Sequence, residues 1–248
     1  MRGRDQPIAC AVVAVLCIAA PVFAQAPADA PKVWTVTASA GLALTSGNSD
    51  TSTVNAAYDI VYDRQSRNVI KSDGLFLRGK TEGELSANRI GLNIRDEYSL
   101  TPRVYIFGQN QYLNDELKDI DYLLAPTFGA GYRLFDTMAT QMTVDASAGG
   151  VWEKNSGFDV ISSGAVAMSE KLTQAVTAST TFTQTFAGLW KTNDFDDAMF
   201  TFGVSLAASM STRTQLKVEI LDTFKNKPPL PTIQQNDVAV LMAIVYKI

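Results

Sequence analysis

Between residues 34 and 246, apolar side chains recur at every second position in segment after segment. Ahead of a break at 47–50, Trp34, Val36, Ala38, Ala40, Leu42 and Leu44 alternate with the small or hydroxylated Thr35, Thr37, Ser39, Gly41, Ala43 and Thr45. After the break, Val54, Ala56, Tyr58, Ile60 and Tyr62 do the same. The pattern returns over 88–100, 175–187 and 198–211, while 68–79 and 104–113 match it less well. Successive strand side chains point to opposite faces, so this period makes a β-strand with one greasy and one polar face.

The punctuation repeats as well. Short turns are read at 64–67, 101–103, 135–138, 171–174 and 211–213, about 35 residues apart. Between them lie breaks that read as longer and more acidic: 47–50, 80–87, 114–119, 153–157, 187–197 and 226–236. That makes twelve strands of roughly 11–15 residues, whereas ordinary sheet strands have about 5–6. Strands this long suit a tilted membrane crossing, which needs about 9–11 residues in the hydrocarbon. The prediction is an all-β, transmembrane, antiparallel up-and-down β-barrel of about 12 strands over 33–248, both termini on the tight-turn rim. Its apolar face should meet lipid, because the polar face is mostly Thr, Ser, Gly and Ala, and a solvated exterior would be dense in Lys and Glu.

Aromatic residues collect near strand ends. Trp34, Tyr62, Tyr98, Tyr105, Tyr132 and Tyr246 fall toward the tight turns, and Tyr112, Tyr122, Trp152, Phe186, Phe200 and Phe224 toward the other rim. Two such belts match the interfacial girdles of membrane barrels. Asp96 and Asp222 interrupt the apolar face; interfacial placement or a local bulge would each accommodate them.

Arg2 and Arg4, the apolar run 8–23, and Val22 with Ala24 read as a secretory signal peptide over 1–24. A short periplasmic segment, 25–32, would follow. Both cysteines, Cys10 and Cys17, lie in the leader, so disulfides and thiolate metal sites are excluded from the mature chain. Removing Arg2, Arg4 and Asp5 from 21 basic and 25 acidic residues leaves 19 and 24, a net charge of −5. No basic patch suited to nucleic acid is visible.

There is no histidine. General-base chemistry of the kind used by barrel lipases and acyl transferases therefore lacks its usual residue, and no enzyme, cofactor or metal site is expected. Two groups of charges remain. Asp59, Arg89, Arg95, Glu97, Arg133, Asp145, Lys217 and Glu219 fall on the inward face, where they either pair across the lumen or line a narrow water path. Asp115, Glu116, Asp119, Asp194, Asp196 and Asp197 belong to the acidic connections, expected to face outward and to meet divalent cations shared with lipopolysaccharide. Two functions follow: a narrow pore for small polar or ionic solutes, or a non-conducting structural or surface-binding barrel.

The stretch "LTSGNSDTSTVNAAYDIVY" (44–62), with Ser46, Gly47, Asn48, Ser49, Asp50 and Thr51 in its turn, resembles the opening hairpin of the salt-induced, YdiY-like outer-membrane proteins of unknown function. "SLTPRVY" (99–105) and "SEKLTQ" (169–174) resemble that family's short turns. The resemblance covers roughly 33–248. It implies a Gram-negative outer-membrane barrel, delivered by the envelope assembly machinery and linked to salt or osmotic stress, and brings no catalytic residues. The terminal Ile248 departs from the phenylalanine usual at the end of such barrels.

Overall fold

The computed structural model describes residues 33–45 and 51–248. The proposed leader 1–24, the segment 25–32 and Ser46–Asp50 of the first hairpin turn lie outside the described residues. The strands are β1 Trp34–Thr45, β2 Thr51–Asp63, β3 Asn68–Thr81, β4 Glu84–Ser99, β5 Val104–Asp115, β6 Ile120–Asp136, β7 Thr140–Asn155, β8 Ile161–Ala175, β9 Thr180–Lys191, β10 Asp194–Ser209, β11 Thr214–Lys225 and β12 Asn236–Lys247. Each pairs antiparallel with its chain neighbours, and β1 closes the barrel on β12 through Thr37↔Lys247 to Ala40↔Ile244. Closure leaves no open sheet edge, the condition for a β structure to span lipid.

Parity runs around the barrel. The exposed Leu42, Ile70, Ile94, Phe128, Met168, Leu206, Val240 and Ile244 are even-numbered, while the buried Leu77, Arg95, Tyr105, Leu123, Val151, Leu189 and Leu241 are odd-numbered. Large apolar groups therefore cover the outside and charges turn inward, the reverse of a water-soluble barrel. Asp96 and Asp222 stay on the outer face, since the ladders Ile70↔Asp96↔Gly108 and Phe202↔Asp222↔Val238 run through them without a bulge. Each lies three residues from its strand end, where the penalty for charge falls.

Several expectations need correction. Residues 171–174 belong to β8, and its turn is 176–179; no Gly or Pro stops the strand at the earlier point. The supposed loops 80–87 and 187–197 are mostly strand, joined by two-residue turns at 82–83 and 192–193. Glu82 (φ 54°) and Gly83 (φ 82°) both adopt the left-handed region that the tightest hairpins require. Only 226–235 is a long connection among the described residues, so loop length barely distinguishes the rims. Tyr105 is not in a girdle: it is 2 % exposed and points inward. With Phe107 and Leu113 also inside, β5 carries bulk on both faces, which is why its alternation reads weakly.

Candidate functional site: a lumen crossed by two layers of paired charge

Near the tight turns, Arg95 on β4 reaches across to β7. Its Nε donates to Glu97 Oε1 at 2.7 Å, Nη1 to Gln109 Oε1 at 3.0 Å, and Nη2 approaches Asp145 Oδ2 at 3.0 Å. The guanidinium lies 3.5 Å from the centre of the Phe107 ring, a cation–π contact strengthened by desolvation. Lys71 Nζ donates to Glu97 Oε2 at 2.8 Å, and the Tyr105 hydroxyl donates to Asp145 Oδ1. Gly131 makes this possible, since a Cβ there would collide with Asp145 and the Tyr105 ring. Arg133 caps the layer over Tyr105 at 4.6 Å, with Nη2 donating to Ser99 at 3.2 Å.

A second layer lies at the opposite end. Glu153 on β7 is 1 % exposed and receives two cations: Lys191 on β9 at 2.9 Å and Lys225 on β11. Lys191 also holds Asp197 at 2.5 Å. Two lysines and two carboxylates balance, as buried charge must. Beneath them sits an apolar plug on the inner wall, Leu113, Leu123, Ala125, Val151, Ala165 and Leu189.

One connection bends inward. Between β5 and β6 the chain makes a 3-10 turn, Glu116–Lys118, capped by Asp115, whose Oδ1 accepts from Lys118 N at 3.3 Å. Lys118 is fully buried, and its Nζ reaches Gln234 O (2.9 Å), Gln235 O (2.8 Å) and Asp237 Oδ2 (2.7 Å). Those acceptors lie at the start of β12, nearly opposite in the strand order, so this lysine is a latch across the mouth. Arg89 on β4 also crosses the lumen, donating to Thr223 on β11 at 2.5 Å. Under the latch, a cavity of about 40 Å³ is lined by Arg89, Leu117, Leu77, Leu221, Thr223 and Asp237, room for a few waters.

Beside the first layer, part of the inner face is exposed. Asp59 and Asp73 stand directly opposite each other on β2 and β3 and are exposed, with Asn93 donating to Asp73 at 3.0 Å. Lys217 and Glu219 pair at 2.7 Å and are partly exposed. Thus Arg95, Glu97, Asp145 and Arg133 form one cluster, Lys217 with Glu219 a second, and Arg89 joins the latch end; Asp59 stands on the exposed part of the inner face.

The acidic candidates other than Asp119 have protein partners for their carboxylates. Asp115 caps the turn and Glu116 accepts from Asn88 at 2.5 Å, whereas Asp119 is held through its backbone carbonyl, which accepts from Asn155, and its carboxylate Oδ2 is buried without a hydrogen bond. Asp194 and Asp196 face Lys227 at 2.6 and 3.7 Å, and Asp197 holds Lys191. The hydrogen bond from Asp194 raises the Lys227 ammonium above lysine's ordinary pKa. Among the described residues no three acidic side chains gather as a metal cage. Lys71, Lys118, Glu153, Lys191, Lys225 and Asp237 were missed in the sequence. All but Lys118 sit at odd positions on strands, so parity could have placed them inside.

A family model described as "Protein of unknown function, DUF481" matches residues 38–248. No curated protein matches the chain. Among solved structures, the chain is similar to the COG4313 outer membrane channel from Pseudomonas putida F1, at 13 % identity and TM-score 0.51, covering 91 % of this chain and 100 % of that one. It is also similar to the KdgM porin, at 8 % identity and TM-score 0.46, covering 86 % and 98 %. Identities this low bear on the fold alone.

Proposed function

The chain belongs to the family of unknown function DUF481, and from that premise we propose that it is a non-enzymatic outer-membrane barrel passing small polar or ionic solutes through a lumen closed at one mouth by Lys118. The observation that carries this reading is the exposed pair of carboxylates, Asp59 and Asp73, on the inner wall of a barrel whose opposite mouth is bridged by one short turn held through Lys118. A wall built only to be filled has no need of exposed, directly opposed carboxylates, which repel each other when desolvated. Small charged linings set selectivity in pores.

A second reading has its own support. Arg95, Glu97, Glu153, Lys191 and Lys225 are buried and paired, as in a closed structural barrel acting through its rims. In either case the tight turns would face the periplasm, after leader removal and delivery by the assembly machinery, in a Gram-negative outer membrane. The acidic rim would then meet lipopolysaccharide through shared divalent cations. A role under salt or osmotic stress fits a small-solute path.

Swelling of proteoliposomes in solutes of graded size tests the proposal. Uptake of the smallest polar solutes, with a sharp size limit, is expected. Absence of uptake by both the native chain and Lys118→Ala would leave the structural barrel.

A further inference from the structure

The two rims differ in charge. On the tight-turn rim Arg64 and Arg67 (β2–β3), Arg103 (β4–β5), Arg213 (β10–β11) and Lys247, at the end of β12, are all exposed. None of them takes part in an ion pair among the described residues. On the opposite rim carboxylates prevail, with Glu82, Glu84, Asp121, Asp159, Asp194 and Asp196 exposed. The basic turns are also contiguous. Strand order runs from the β10–β11 turn past the termini to the β2–β3 and β4–β5 turns, while outside this arc 137–139 and 176–179 carry no charge and the exposed Asp136 ends β6.

Orientation supplies a second, independent observation. Arg64 Nε donates to the Tyr62 hydroxyl, and its guanidinium sits 5.2 Å from that ring's centre. Arg103 Nη1 donates to the Tyr132 hydroxyl at 3.4 Å. Tyr62 packs on Trp34 with ring centres 4.4 Å apart, and Trp34, Tyr98, Tyr132 and Tyr246 are exposed on the outer, even-numbered face. Tyr and Trp so placed mark headgroup depth. The arginines docked on them are therefore held against the outer circumference, at the level of lipid phosphates.

We propose that this arginine crescent binds the phosphate groups of anionic phospholipids in the leaflet that the tight turns face. A guanidinium offers a planar fork that matches phosphate oxygens in pairs. Each cation near an anionic surface strengthens attachment about fivefold. The inference depends on the membrane-spanning barrel, and not on whether the lumen conducts.

The test is native mass spectrometry of the barrel in neutral detergent, titrated with phosphatidylglycerol or phosphatidylcholine of identical chains. The native protein should retain phosphatidylglycerol preferentially, even in excess inorganic phosphate. Arg64→Gln/Arg67→Gln/Arg103→Gln/Arg213→Gln should abolish the preference, and Arg103→Gln/Arg213→Gln should weaken it, by about fivefold per arginine. Lys80→Gln/Lys154→Gln/Lys227→Gln, on the other rim, should leave it intact. If the fourfold variant does not fold, as judged by migration of unboiled samples, the double variant decides. Equal retention of the two lipids by the native protein, an unchanged preference in the arginine variants, or loss of retention to inorganic phosphate overturns the proposal.

Discussion

Replacing Glu153 by glutamine strands a cation inside the lumen. Glu153 serves Lys191 and Lys225 at once, and the three residues with Asp197 form a neutral group of four. In Glu153→Gln, Lys191 keeps Asp197 at 2.5 Å, but Lys225, 2 % exposed, keeps no carboxylate. One uncompensated buried charge, not two, is the result, and breaking a buried pair this way costs about 3–5 kcal/mol. The double variant Glu153→Gln/Lys225→Met removes the stranded charge and leaves the neutral Lys191–Asp197 pair. It should recover roughly 2 kcal/mol or more of the loss, a coupling typical of contacting residues. Urea titration in lipid bilayers, followed by the fluorescence of Trp34, Trp152 and Trp190, reads both values. A single-variant loss below about 1 kcal/mol, the range of solvent-exposed pairs, would show that water reaches Lys225. The burial from which this magnitude is worked would then be contradicted.

Other outcomes follow from the same geometry. Unboiled protein should migrate differently from boiled protein in a denaturing gel, because a closed ladder resists detergent; recovery as a soluble protein without detergent would contradict the apolar exterior. Gly131→Ala should destabilise by about 1–3 kcal/mol, the range of overpacking, since its Cβ would displace the Tyr105–Asp145 bond; an unchanged urea midpoint would contradict this. An epitope inserted between Asn193 and Phe195 should be reached by antibody on intact cells, and access only after permeabilisation would invert the sidedness.

Strand number, closure and the facing of Arg95, Glu97, Lys217 and Glu219 were legible, because one face of each strand meets lipid and parity enforces the rest. Turn positions were less so. Glu82–Gly83 closes a hairpin in two residues, and polar strand ends near it look like loop. The inner plug was hidden for another reason: Leu113, Leu123 and Leu189 are apolar on the face expected to be polar. Partner choice was not legible at all. Lys225 meets Glu153 across 72 residues and Lys118 meets Gln235 across 117, and only barrel closure brings them together.

Single-channel recording of Lys118→Ala in a planar bilayer tests the central claim most directly. Without the ammonium, the carbonyls of Gln234 and Gln235 and the Asp237 carboxylate lose their shared donor, and among the described residues no other hydrogen bond or ion pair ties the 3-10 turn to the start of β12. The native barrel should give small or rare current steps, and the variant larger or more frequent ones of the same ion preference. Silence from both proteins, with unboiled migration showing that each is folded, would contradict a solute path through this lumen.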